Sequence, residues 1–135
     1  MDLLDTSSLL AYIKKEPGYE KIEKLFDDAR THIFTVFMHE VNYIEFLYKC
    51  FQIFGEVSTQ KIIASLQSPF FGVIGWKEAK HAYFSAYLKA SYKNLALGDA
   101  VGLSFTKFME GRFWTADRAL EEIAKKEKIE IVMLR

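Results

Sequence analysis

Leu3-Leu4-Asp5-Thr6-Ser7-Ser8-Leu9-Leu10 opens the chain with an apolar run, an acid, three hydroxyl residues and a second apolar run. The first run, residues 1–4, reads as a short buried strand. Ser7 and Ser8 suit the cap of a helix carrying Leu9, Leu10 and Ile13. A strand that passes at once into a helix, with a carboxylate at the joint, is the unit from which parallel α/β sheets are built. The pattern repeats outward from here. Pro17-Gly18 breaks the first helix, and Tyr19, Ile22, Leu25 and Phe26 form the stripe of a second. Ile33-Phe-Thr-Val-Phe37 has the β-branched and aromatic content of a strand. A long helix fits residues 40–54, closed by Gly55, and Ser58 suits the cap of another over residues 59–66. Residues 70–74 read as a third strand between Pro69 and Gly75. Residues 77–91 read as a helix with Tyr83, Phe84, Tyr87 and Leu88 on one face. Gly98-Asp99 opens a further helix through Phe108. Residues 112–114 read as a strand, 118–126 as a helix and 129–134 as a last strand. Strand and helix alternate throughout, so the expected class is α/β with a largely parallel sheet.

The chain has 135 residues, half of them hydrophobic, which suits one domain over residues 1–135 with a proper core. Twelve Phe and seven Tyr exceed what a core needs, so some are expected in a partner interface. Lys+Arg and Asp+Glu are equal at 18 each, which argues against binding nucleic acid by bulk charge. Cys50 is the sole cysteine, and a reducing, cytoplasmic setting is expected. Met1-Asp-Leu-Leu-Asp5 is too short and acidic for a secretory leader. No apolar run nears the ~20 residues that span a bilayer, so no membrane association is expected.

The acids Asp5, Glu45, Asp99 and Asp117 carry the functional information. Three of them sit at what read as strand-to-helix junctions, and Glu45 lies in a helix that follows a strand. In a parallel sheet such positions converge on the carboxyl edge. Taken singly, Asp5 and Asp99 also suit plain helix caps. Glu40 competes with Glu45. Glu45 shares a helix face with Asn42, one turn earlier, and stands among Ile44, Phe46 and Leu47, whereas Glu40 suits a first-turn acid. Arg118, beside Asp117, suits a carboxylate or a phosphate. Gathered carboxylates call for a hard divalent cation, and Mg²⁺ or Mn²⁺ on oxygen ligands serves phosphodiester hydrolysis. There is no Gly-rich phosphate loop. His32, His39 and His81 lack zinc spacing, and Cys50 reads as a buried small hydrophobe. Lys77, Lys80, His81, Lys89 and Lys93 flank the aromatic stripe at Tyr83, Phe84 and Tyr87. That stripe reads as core-facing with a solvated lysine face, or as an RNA- or partner-contacting surface.

These residues resemble the PIN-domain family, and within it the VapC-type toxins of toxin–antitoxin pairs. Leu3-Leu4-Asp5-Thr6-Ser7-Ser8 is similar to the family's opening segment. Val41-Asn42-Tyr43-Ile44-Glu45 is similar to its Asn-Leu-x-Glu helix, Leu95-Ala-Leu-Gly-Asp99-Ala100 to its Leu-x-x-Asp-Ala segment, and Thr115-Ala116-Asp117-Arg118 to its Thr-x-Asp-Arg segment. Gly98 departs from the Ala more usual there. The resemblance implies a three-layer α/β/α sandwich with a sheet of about four to five strands. It also implies a Mg²⁺- or Mn²⁺-dependent endoribonuclease with Asp5, Glu45, Asp99 and Asp117 as metal-binding and catalytic residues. Thr6, Ser7, Asn42, Thr115 and Arg118 would support them, the hydroxyls orienting carboxylates or metal waters. RNA would be the substrate, a small antitoxin the inhibitor and a homodimer the assembly. The alternatives are a catalytically silent PIN-fold module that binds RNA or protein and, third, an aspartyl-phosphate phosphatase, which usually wants Asp-x-Asp where Asp5 is followed by Thr6-Ser7.

Overall fold

The computed structural model describes residues 1–76 and 78–135. In chain order they form β1 (Asp2–Leu4), α1 (Thr6–Lys14), α2 (Tyr19–His32), β2 (Val36–His39), α3 (Glu40–Leu66) and β3 (Phe71–Ile74). There follow α4 (Ala79–Ser91), α5 (Leu97–Phe108), β4 (Arg112–Thr115), α6 (Ala119–Lys126) and β5 (Glu130–Met133). The five strands lie in the order β3-β2-β1-β4-β5, and every pairing between neighbours is parallel.

Alternating side chains on the strands divide the core between two faces. On one, Leu4, Val36, Met38 and Trp114 pack against Leu9, Ile22, Phe26, Phe46 and Cys50 of α1, α2 and α3. On the other, Leu3 and Phe113 pack against Leu88, Leu103, Phe105 and Leu120 of α4, α5 and α6. The result is the three-layer α/β/α sandwich. β1 is central because both of its faces are apolar and covered, as parallel strands require. Asp2 stitches β1 to β4 at the amino edge, where its Oδ1 accepts from Arg112 Nε at 2.8 Å and Trp114 Nε1 at 2.9 Å.

The chain runs from β1 outward through β2 to β3, then returns to β4 on the other side of β1. The direction of winding reverses between β1 and β4, and side chains leaving the carboxyl ends of these two strands face a common crevice. Asp5 follows β1 directly, and its backbone N–H donates to the Trp114 carbonyl at 3.1 Å, which locks the two strand ends together.

Several local boundaries differ from expectation. The second strand covers Val36–His39 rather than residues 33–37. α2 runs on to His32 and ends with Ile33 in the left-handed region at φ 56°, so the β-branched residue is an exposed cap. Gly55, at φ 83°, breaks helical geometry inside α3, as its sequence position suggests, but the two helical stretches run on end to end. The helix expected over residues 77–91 begins at Ala79, and Lys77 lies outside the described residues. Gly18, at φ 93°, turns the chain between α1 and α2 directly against the Leu134 backbone, where no side chain has room. No helix among the described residues is long and apolar enough to cross a membrane.

Candidate active site

Asp5 is the N-cap of α1, a role that falls to it and not to Ser7 or Ser8. Its Oδ1 accepts the Ser8 backbone N–H at 2.7 Å, because an extended residue just before a helix aims its side chain at the orphan amides. The cap and the junction carboxylate are thus the same group. Ser7 Oγ lies 2.8 Å and 2.9 Å from the two carboxylate oxygens, and Thr115 Oγ1 donates to Oδ2 at 2.5 Å. The hydroxyls pass the order on. Ser7 Oγ accepts the Ala116 N–H at 3.0 Å, and Thr115 Oγ1 accepts the Asp117 N–H at 3.0 Å. The turn that carries Asp117 is therefore hung from the carboxylate of Asp5. Asp117 is exposed, and its Oδ1 accepts the Ala119 N–H at 2.9 Å at the start of α6.

Glu45 and Asp99 come from the helices on either face. Asn42, fully buried on α3, donates its side-chain amide Nδ2–H to the Gly98 carbonyl at 3.0 Å, and its backbone carbonyl accepts from Thr6 Oγ1 at 3.0 Å. One residue thereby joins α1, α3 and α5, and sets Glu45, one turn along α3, opposite Asp99. A methyl group on Gly98 would meet the Glu45 carboxylate at 3.5 Å, an ordinary contact, so an alanine fits at this position. Lys49 Nζ stands 3.8 Å from Glu45 Oε1. Glu40 is exposed and lies against Gly75, away from this group.

Burial pushes the Asp5 carboxyl above its ordinary value against the pull of hydrogen bonds from three residues, Thr115, Ser8 and Ser7. Asp99 is pushed up to about 7, first by burial and then by the negative charges of Asp5, Glu45 and Asp117. The four acids are thus electrostatic neighbours. Among the described residues no three carboxylate, imidazole or thiol side chains close into a tight ligand set. The acids face one another but stand apart, as like charges do. Their donor set is all oxygen, which fits a hard divalent cation such as Mg²⁺ or Mn²⁺ and relieves the repulsion that lifts Asp99.

Some expectations do not hold. Asp99 follows α4, not a strand, and lies in the first turn of α5, whose cap position is Ala96. Thr6 orients no carboxylate, since its hydroxyl is spent on the Asn42 carbonyl. Arg118 does pair with a carboxylate, as its type suggests, but with that of Glu121 one turn along α6, at 3.6 Å. The aromatic stripe of α4 faces the core only in part: Leu88 is buried and Phe84 packs against the core, but Tyr83 is 81% exposed and Tyr87 49%. Sequence spacing also hid a pairing of His39 and His81, which both pack against the Phe105 ring, at 5.1 and 5.0 Å. Burial lowers both imidazoles, which marks them as neutral core groups. The Lys49–Glu45 pair was missed, although its i, i+4 spacing on a helix signals it.

No curated protein matches the chain by sequence. By structure it is similar to a chain of DNA-bound VapBC from Salmonella typhimurium, with a TM-score of 0.76 and 15% identity over 98% of this chain and 97% of that one. VapBC2 from Rickettsia felis, bound to a promoter DNA fragment, follows at 0.73 and 15% identity over 97% and 96%. A toxin–antitoxin complex from Klebsiella pneumoniae reaches 0.68 and 16% over 100% and 98%. At such identities the likeness is one of fold. The PIN domain family model, however, matches residues 3–126, a span that takes in the whole acidic crevice and all but the last strand of the sheet, and on that match the chain belongs to the PIN domain family.

Proposed function

We propose that this chain is a metal-dependent endoribonuclease, the toxin of a type II toxin–antitoxin pair of the VapC type. The observation that carries the reading is the convergence of Asp5, Glu45, Asp99 and Asp117 at the β1–β4 crevice, where burial first and then the charges of the other three lift Asp99 to about 7. Family membership and the VapBC-like fold support it. In this reading the four acids hold one or two Mg²⁺ or Mn²⁺ ions. A divalent ion there lowers the pKa of water and neutralises the charge that develops at phosphorus. Asp5 is held in one orientation by Ser7, Ser8 and Thr115. Glu45 is set by the Asn42 bridge, and Asp117 hangs on the Thr115 hydroxyl. Asp99, without a cation, keeps a proton on its carboxyl near neutral pH.

A small antitoxin and a second copy of the chain are the expected protein partners. Ile44, Tyr48 and Phe51 line one exposed face of α3 beside Glu45, and Tyr83 and Tyr87 one face of α4, which supplies apolar surface for both.

The protein freed of any partner should cut single-stranded RNA when Mg²⁺ or Mn²⁺ is supplied and stop when a chelator is in excess. Cleavage that persists in chelator, or in Asp5→Asn, would sink the assignment. The open spacing of the acids favours one rival, a PIN-fold binding module without catalysis. Titration with Mn²⁺ separates the two, because the silent module binds none. Thr115→Val keeps the packing and removes the hydroxyl shared by Asp5 and Asp117. It should lower kcat about 10- to 100-fold, the usual cost of losing an outer-shell partner, with Thr115→Ser close to wild type. A Val variant as active as wild type would show that the hydroxyl does not orient the acids.

A further inference from the structure

A cleft of about 650 Å³ opens beside the acids, with Asp99 and Asp117 at one end. It runs between the α4–α5 connection and the outer face of α6. We propose that it seats one nucleotide of a single-stranded RNA, next to the phosphate held at the acids. This rests on the ribonuclease reading and goes on to say where the strand lies and which residues grip it.

Three observations carry the assignment. The cleft is continuous with the acids, so a strand whose phosphate reaches Asp99 and Asp117 has this hollow beside it. Its volume lies in the range of ~300–1,000 Å³ typical of small-ligand sites. Its chemistry is divided as a nucleotide's is. Leu120 and Ile123 give an apolar floor for the face of a base, and Lys93 and Lys126 stand on the rim for phosphate. Asn94 offers both a donor and an acceptor to a base edge. Tyr92 forms a fixed wall, because its phenol donates to Glu127 Oε2 at 2.6 Å and is held protonated, its pKa pushed up to about 12.

Charge favours RNA over a peptide. The opening carries Lys93 and Lys126 beside Glu122, so away from Asp99 and Asp117 its rim has one net positive charge on a chain that is neutral as a whole. Among the described residues Lys93 has no ion-pair partner, and Lys126 makes only an exposed pair with Glu122 at 3.4 Å, readily given up to a phosphate. An arginine-bearing peptide drawn to the acids would meet both lysines on entry.

The test uses a labelled single-stranded RNA with Mn²⁺ over a series of salt concentrations, on wild type and on Lys93→Ala, Lys126→Ala and Lys125→Ala. Lys125 is exposed on α6 and does not line the cleft. For the first two variants KM should rise about five- to tenfold with kcat changed less than about twofold. The slope of log affinity against log salt should become shallower by about 0.7 for each lysine removed. Lys125→Ala should leave the slope unchanged. If the wild type cleaves RNA and all three variants behave alike, the cleft assignment is overturned and the nuclease reading stands. If RNA binds with the expected lysine dependence but is never cut, the nuclease reading falls and the cleft assignment stands. An arginine-rich peptide that binds more tightly after Lys93→Ala, with RNA binding unaffected, would make this a protein site and also overturn the assignment.

Discussion

Asp99→Asn should cleave RNA roughly 10³-fold more slowly than wild type and yet, in excess chelator at pH 8, be the more stable protein. Both effects come from one carboxyl. Asp99 is disfavoured by its surroundings, held up to about 7 first by burial and then by the charges of Asp5, Glu45 and Asp117. The sign of the pH dependence follows. A carboxyl whose folded pKa lies above its unfolded value contributes stability that is fully present below about pH 4 and is lost as pH rises through about 7. Moving from 3.8 to about 7 sets a ceiling of ~4 kcal/mol, and access of water to the site reduces this to about 2 kcal/mol. The metal-free wild type should therefore lose about 8 °C more Tm between pH 4 and 8 than Asp99→Asn, which keeps the dependence carried by Asp5. Mn²⁺ should restore the wild type and leave the variant unmoved. Parallel pH profiles for the two proteins in chelator, or cleavage by the variant at more than a tenth of the wild-type rate, would remove Asp99 from the site.

Gly102→Val should cost about 3 kcal/mol, lower Tm by about 10 °C and depress cleavage further than the loss of folded protein explains. The first carbon added at Gly102 would stand 2.6 Å from the ring of Phe113, which is fully buried on β4, and 2.8 Å from Asn42 Oδ1. Neither neighbour can move away cheaply. Phe113 is held in the sheet core, and Asn42 is tied to Gly98 and Thr6. The displacement falls on the amide that spaces Glu45 from Asp99. Circular dichroism melts together with cleavage rates, normalised to folded protein, check the claim. A Val variant with normal activity per folded molecule would show that the Asn42 bridge does not set the acids.

The alternation of apolar runs and helical stripes made the parallel sheet legible, because both periodicities are local. The acids at the ends of β1 and β4 were legible for the same reason, since a carboxylate that follows a strand is visible in a few residues. Asp99 was placed correctly in a first turn but for the wrong reason. It enters the crevice through the crossing of α5 over the sheet, which no local pattern encodes. The Ser7–Thr115 pair, 108 residues apart, and the Asn42–Gly98 bridge belong to the packing alone. Ile33 misled because a β-branched residue usually prefers extended backbone, and here helix termination overrode that preference. On α4, spacing grouped Tyr83, Phe84, Tyr87 and Leu88 on one face, but α4 packs on α5 through Phe84 and Leu88 together with His81 and Ser85, which leaves Tyr83 and Tyr87 outside.

The central place of β1 has a consequence for how the protein comes into being. β1, the middle strand, is made long before β4, which closes it on its second side. A nascent chain that stops short of β4 exposes one edge of its innermost strand and lacks both the Thr115 hydroxyl and Asp117. On the proposed reading, a ribosome making this protein is not exposed to its product until β4 and the turn beyond it have been made, and fragments that stop short of β4 are inactive.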